Sequence, residues 1–83
     1  MLLKAIVINI QEIYVPTGLR KELDAGRVEL VAEEIIEGAG EHPIQVRQGK
    51  DRYVLVKGVH RLAARKALGD KTIQAFIVAA QQH

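Results

Sequence analysis

The chain has 83 residues, a net charge of +2 and no cysteine, which favours one small domain spanning residues 1–83. Without cysteine there is no disulfide framework and no thiolate metal site. The three histidines are too scattered to indicate a metal site. No apolar run approaches the roughly 18 residues of a membrane helix, and the start of the chain lacks a signal-peptide cleavage pattern. We therefore expect a cytoplasmic protein that does not contact a membrane.

The first predicted element is a strand in the stretch KAIVINI, residues 4–10, where β-branched residues run without interruption. The following stretch, residues 14–27, contains Pro16, Gly18 and Gly26. This composition is typical of a connector, with a short turn of helix at most.

An amphipathic helix is predicted in RVELVAEEIIEGAG, residues 27–40, with Asp24 as the capping residue before it. Glutamates recur every fourth residue on its solvent side, and Gly38 and Gly40 end it. The predicted buried stripe consists of Val28, Val31, Ala32, Ile35 and Ile36.

The second half of the chain predicts a hairpin, a helix and a closing strand. HPIQVRQG and RYVLVKG are strands joined by a short polar loop. HRLAARKALG is a helix, and KTIQAFIVAA is the last strand. The inward-facing residues predicted for this helix are Leu62, Ala64, Ala67 and Leu68. The order β-loop-α-β-β-α-β indicates a compact α+β domain with two main helices.

Charge is distributed unevenly along the chain. Residues 22–43 contain seven acidic residues and one basic residue, a net of −6. Residues 44–71 contain eight basic and two acidic residues, a net of +6. The domain is thus expected to have an acidic and a basic side. These sides are either two solvated surfaces or, for the basic one, a surface that meets phosphate.

The junction KGVHRL, residues 57–62, is the strongest candidate site. A helix start has free backbone N–H groups and a positive dipole end, which together favour an anion. Gly58 allows close approach, and the N–H groups of Val59 to Leu62 are predicted donors. Lys57, His60 and Arg61 add charge or a hydrogen bond. Cations in a first turn work against the dipole, which is a hint of function. The alternative is that Arg61 pairs with an acidic residue such as Glu34.

Several ordered motifs resemble one superfamily. GVHRLAARKALG is similar to the Gly-x-x-Arg-x-x-Ala box of the ParB N-terminal domain and to the Gly-Cys-His-Arg box of sulfiredoxin. IYVPTGLR, LDAGRVELVAEEIIEGAGEHPIQVR and TIQAFIV resemble the opening, middle and closing motifs of the same superfamily. The resemblance covers residues 10–78. It implies a ParB/sulfiredoxin-like fold with a small mixed sheet.

The resemblance also implies a ligand. Gly58, His60 and Arg61 take the places that bind nucleotide phosphates, with ATP in sulfiredoxin-like members and CTP in ParB-like members, and Mg²⁺ as the accompanying ion. Arg20 lies in the opening motif, where an arginine approaches the phosphate pocket, and Arg27 matches a nucleotide-facing lysine of sulfiredoxin.

Three residues depart from the sulfiredoxin pattern. Val59 stands where sulfiredoxin has its catalytic cysteine, so sulfinic acid reduction by that route is excluded. Leu30 replaces a nucleotide-facing serine, and Glu34 replaces a threonine and would repel phosphate.

Two functions remain in competition. The first is a nucleotide- or phosphate-binding domain, DNA-associated in the ParB manner, with nuclease or nucleotidase activity as a further step; His60 and Glu34 are then the candidate catalytic residues. The second is a non-enzymatic DNA- or protein-binding module on the same fold. Its backbone-phosphate contacts are assigned to Arg47, Lys50, Arg52, Arg65 and Lys71. A third hypothesis is that the domain forms a homo-oligomer, in which the closing strand pairs with a second copy at a sheet edge.

Overall fold

The computed structural model describes residues 4–40 and 42–79. Within this part, a 3-10 turn, Ile10–Glu12, separates the first two strands, and no helix is long and apolar enough to cross a membrane. The elements are β1 Ile6–Asn9, β2 Ile13–Tyr14, α1 Thr17–Lys21, α2 Ala25–Ile36, β3 Ile44–Gln48, β4 Tyr53–Lys57, α3 Val59–Ala67 and β5 Thr72–Ile77. The α+β class and the predicted order are confirmed. The connector holds more than predicted, namely a two-residue strand and a five-residue helix.

The five strands form one mixed sheet in the order β1-β5-β3-β4-β2. β1 pairs with β5 and β3 with β4 in antiparallel fashion, whereas β3–β5 and β2–β4 are parallel. The closing strand β5 is therefore an interior strand. The expectation that it offers a free edge for pairing is wrong, because β1 folds back and covers its outer side.

The core lies between the sheet and α3. Its largest fully buried side chains are Ile44, Leu55, Leu62 and Val46. By contrast, α2 has no fully buried residue. Ile36 of the predicted stripe is 70% exposed, and both Ala67 and Leu68 of α3 are exposed, so these three positions were predicted wrongly. α2 packs mainly against α3, which itself lies on the sheet.

The capping residues Asp24, Gly38 and Gly69 are confirmed, although α2 spans Ala25–Ile36 rather than residues 27–40. Asp24 is the N-cap of α2, and its carboxylate accepts a hydrogen bond from the Gly26 N–H at 3.3 Å. Gly38 and Gly69 follow α2 and α3 with φ of +83° and +86°, a backbone region that favours glycine. These capping residues therefore determine where the two main helices end.

Candidate functional site

The junction between β4 and α3 requires a glycine. Gly58 is the N-cap of α3 and has φ of +108°. A Cβ at this position would lie 2.6 Å from Cγ2 of Ile44, a core residue that is only 2% exposed. The backbone of the junction is therefore pressed directly onto β3, which an L side chain would prevent.

A β-bulge lies immediately before this junction. Gln45 faces Lys57 and Val46 faces Leu55, so Val56 is one extra residue in β4. Bulges redirect the residues at a strand end. Here the irregularity accompanies a change from buried Leu55 to exposed Val56 and Lys57. The last two residues of β4 consequently face a surface cavity rather than the core.

The first turn of α3 presents three backbone donors. The Leu62 N–H donates to the Gly58 carbonyl at 2.9 Å, which is the first bond of the helix. The predicted donor at Leu62 is thus already used, and the N–H groups of Val59, His60 and Arg61 are those without an intrahelical partner. The Val59 side chain is buried beneath them, which fixes the turn on the core.

His60 connects the starts of the two main helices. Its Nε2 accepts a hydrogen bond from the backbone N–H of Asp24, the α2 cap, at 3.1 Å. An accepting Nε2 is unprotonated, so in the neutral ring the proton resides on Nδ1. This contact brings the cap of α2 next to the first turn of α3.

Six of the seven predicted phosphate-binding residues line one cavity of about 410 Å³. They are Lys57, Gly58, Val59, His60, Arg61 and Arg27, and the remaining wall is formed by Leu19, Glu22 and Val56. Among residues 4–40 and 42–79, the side chains of Lys57, Arg61 and Arg27 form no ion pair or hydrogen bond. Three cationic groups and the free N–H groups of α3 therefore share a single opening.

Arg20, the seventh residue, lies elsewhere. Its Nη2 donates to the Val15 carbonyl at 3.1 Å, which closes the turn before α1. It lines a different cavity of about 400 Å³ beside Val59 and Leu62. Arg20 therefore stabilises the connector in this structure and does not face the cavity that Lys57 and Arg61 share.

Glu34 is also separate from the cavity. It is an exposed residue of α2 and is absent from the residues that line the opening. Within the described part of the chain, Arg61 does not pair with Glu34, so the ion pair considered as an alternative to phosphate binding is not formed. The same part of the chain contains no group of three histidine or carboxylate side chains suited to hold a metal.

A second opening reaches Arg61 from another side. This cavity, of about 270 Å³, is lined by Arg61 together with His42, Arg65 and Thr72. Arg65 forms an ion pair with Asp70 at 3.1 Å. Sequence reasoning missed both this cavity and the presence of Leu19 and Glu22 in the first one. No local pattern signals them, since these contacts arise only when the helices pack together.

Taken together, the fold and site define an α+β domain with a cationic cavity at a glycine-started helix. Its sequence matches the profile of the ParB N-terminal domain over residues 4–83. The chain belongs to that family, and sulfiredoxin shares its fold. A comparison with curated protein sequences gave no significant match.

Solved structures share this fold. Sulfiredoxin from Arabidopsis thaliana superposes with a TM-score of 0.80 at 23% identity, covering 93% of this chain and 86% of that protein. Truncated ParB from Caulobacter crescentus, complexed with CTP-gamma-S, gives 0.77 at 22% identity, covering 95% of this chain and 46% of that one. A free serine kinase in complex with AMP gives 0.70 at 20% identity, with coverages of 95% and 32%. The chain spans less than half of the latter two proteins.

Proposed function

We propose that this domain binds a nucleotide, with the phosphates at the start of α3. The observation that carries the proposal is the shared cavity, in which Lys57, Arg61 and Arg27 accompany the free N–H groups of Val59 to Arg61. Helix N–H groups and a positive dipole end favour an anion, and the three cations increase that preference. A bound phosphate also offsets the unfavourable position of Arg61 in the first turn.

The cavity residues suggest distinct roles in this binding. The Arg61 guanidinium has a planar donor fork and suits two oxygens of one phosphate, whereas Lys57 provides a point charge from the end of β4. Arg27 approaches from the first turn of α2. Glu22 is the one carboxylate among the described residues of the wall, and we assign it to the sugar hydroxyls rather than to phosphate.

Two comparisons support a nucleotide as the ligand. The ParB structure holds CTP-gamma-S and the serine kinase holds AMP, on the fold that this chain shares. A volume of about 410 Å³ is within the usual range for small-molecule sites. ATP and CTP are accordingly the first two ligands to test. The accompanying Mg²⁺ would be held mainly by phosphate oxygens and water, as is usual for this ion.

Hydrolysis of the bound nucleotide, or of DNA, is the finer part of the proposal. Its candidate catalytic residue in the cavity is His60, whereas Glu34, the other residue predicted for this role, lies outside the cavity lining. The Nε2 of His60 is occupied by the Asp24 N–H, so proton transfer by this ring would use Nδ1 or require that contact to open. Product formation from ATP, CTP or plasmid DNA with Mg²⁺ measures this step separately from binding.

Calorimetric titration with ATP and CTP tests the binding proposal. We expect Arg61→Ala to weaken binding about 10- to 100-fold, the usual effect of losing a charged hydrogen bond of about 1.5–3 kcal/mol. Arg47→Ala on β3 is the matched control, because Arg47 lies outside the cavity lining. NMR amide shifts at Val59, His60 and Arg61 should accompany binding. Absence of binding by the wild type, or an unaltered affinity in Arg61→Ala, would overturn the proposal.

DNA association is the alternative function. Its support is the basic half of the chain, residues 44–71. Two of its five assigned cations already have partners. The Arg52 guanidinium lies 4.0 Å from the centroid of the Tyr14 ring, and Arg65 pairs with Asp70. This engagement favours the nucleotide proposal over a continuous DNA-binding surface.

A further inference from the structure

The outer edge of β1 is open in the described part of the chain. β1 is the terminal strand of the sheet and pairs only with β5. The Ile10 N–H donates to the Lys71 carbonyl, in line with the β1–β5 register. Hydrogen-bonded positions alternate along an antiparallel pair. Ile6 and Ile8 therefore bond to β5, while the N–H and C=O groups of Val7 and Asn9 point outward.

Natural edge strands usually carry features that prevent pairing, such as proline, a bulge or a charge within the strand. β1 is short, at four residues, but it has no proline, bulge or charge between Ile6 and Asn9, and its pairing with β5 has a continuous register. Instead it exposes apolar side chains, since Val7 is 63% and Ile6 is 37% exposed. A strand of this kind is suited to pairing with another strand.

We propose that β1 pairs in antiparallel fashion with β1 of a second copy of this chain, with Val7 at the two-fold axis. The argument is that the edge is complementary to itself in this register. Val7 faces Val7 of the partner subunit, and both have outward N–H and C=O groups that form a hydrogen-bonded pair. Asn9 faces Ala5 of the partner subunit in the same way.

The same register brings the apolar side chains together on the other face. Ile6 faces Ile8 of the partner subunit, and each Ile8 already belongs to the core. The half-exposed Ile6 thus continues the core across the interface. Lys4 faces Ile10 of the partner subunit, so no like charges oppose each other. The two sheets join into one continuous ten-stranded sheet, since each contributes five strands.

A one-residue shift of the register would destroy these contacts. Because side chains alternate between the faces of a strand, such a shift places Val7 opposite Ile6 or Ile8 and breaks the outward hydrogen-bonding pattern. The alternation of the outward groups therefore excludes such shifts. Among the registers that keep the pattern, the one centred on Val7 places Ile6 opposite Ile8 of the partner subunit on both sides of the axis. This interface lies at the β1 edge of the sheet, outside the lining of the nucleotide cavity. Val7 borders the second opening, which Arg61 also lines, but the interface does not depend on the proposed function.

Sedimentation equilibrium and light scattering on the 83-residue chain test the interface. We expect the mass of the wild type to rise with concentration towards twice that of the monomer. Val7→Lys should keep the chain monomeric, because two ammonium groups would then oppose each other at the two-fold axis. The change is on an exposed side chain, and circular dichroism should show an unaltered fold. Ile36→Lys on α2 is the matched control, with a similarly exposed apolar residue, and should dimerise as the wild type does.

A mixture of Val7→Lys and Val7→Glu provides the positive arm. Each variant alone should be monomeric, and the mixture should form a heterodimer. Amide hydrogen exchange should slow at Val7 and Asn9 upon dimerisation. A wild type that stays monomeric at its highest soluble concentration would overturn the proposal, as would a dimer whose mass Val7→Lys leaves unchanged. Val7 lines the second opening together with Arg61, so nucleotide binding is measured on the wild type rather than on the Val7 variants. A wild type that binds nucleotide and stays monomeric, or that dimerises and binds none, separates failure here from failure of the proposed function.

Discussion

The backbone N–H of Asp24 donates to Nε2 of His60 at 3.1 Å, although the two residues are 36 positions apart. Asp24 caps α2, and His60 lies in the first turn of α3. The His60 side chain thereby holds the N-terminal ends of α2 and α3 next to each other. Arg27 and Arg61, which follow these two starts, line one cavity as a result.

This contact predicts a structural role for His60. We expect His60→Ala to lower the free energy of unfolding by about 1 kcal/mol, the typical value of one hydrogen bond, which is roughly 4–8 °C in Tm for a domain of this size. Thermal and urea unfolding measure the change. His42→Ala is the control, since His42 is exposed and forms no such bond in the described structure. Equal stability of the two variants would show that the Asp24–His60 bond contributes nothing.

The close approach of Gly58 to Ile44 predicts a larger loss. Gly58→Ala places a methyl group 2.6 Å from Cγ2 of Ile44 and also forces a positive φ on alanine. We expect about 2–4 kcal/mol of destabilisation from overpacking and strain together.

Gly69→Ala separates these two causes. Gly69 has φ of +86°, and apart from Gly69 and its chain neighbours no atom of the described residues lies within 4 Å of the position that the alanine methyl group would take. Only the strain of about 1 kcal/mol therefore remains. Chemical denaturation of both variants provides the comparison. If Gly69→Ala proved as costly as Gly58→Ala, the contact with Ile44 would not be the reason that the junction needs a glycine.

Local signals in the sequence were sufficient for the main elements and their capping residues, but not for β2 and α1 in the connector. Asp24 and Gly69 act within one helical turn of their own position, and so their capping roles can be read from the sequence. The periodic pattern of α2 was less informative. It correctly indicated a helix but not how deeply the helix packs, and Ile36 is exposed because the main neighbour of α2 is α3 alone.

The order of the strands in the sheet could not be predicted from local sequence signals. The closing strand β5 looks like a possible edge because it comes last, yet β1 returns to cover it. Arg20 and Arg27 were both assigned to phosphate. Arg20 instead turns back to the Val15 carbonyl five residues away, while Arg27 faces the cavity. A sequence motif gives residue types, whereas the direction of each side chain depends on the packing of α1 and α2.

The different positions of these two arginines predict different effects on ligand binding. Arg27→Ala should weaken nucleotide binding about 5- to 50-fold, because a cation leaves the cavity that holds the phosphates. Arg20→Ala should leave the affinity within about twofold, less than about 0.5 kcal/mol, and should slightly lower stability through loss of the bond to Val15. Titration calorimetry on both variants measures this difference. A stronger effect from Arg20→Ala would place the ligand in the cavity beside Leu62 instead.

Salt dependence distinguishes DNA association from nucleotide binding. If the basic half contacts a DNA backbone, the logarithm of the affinity should fall linearly with the logarithm of the salt concentration, with a slope of about −0.9 for each phosphate contact. Lys50 and Lys71 are exposed and form no ion pair in the described structure, so Lys50→Ala and Lys71→Ala should each reduce the slope by about one. Arg61→Ala should leave the DNA slope unchanged while it weakens nucleotide binding. Fluorescence anisotropy with a labelled duplex at several salt concentrations measures the slope. A flat salt response would exclude backbone contacts by this surface, and a slope that depends on Arg61 would mean that DNA and nucleotide share one site.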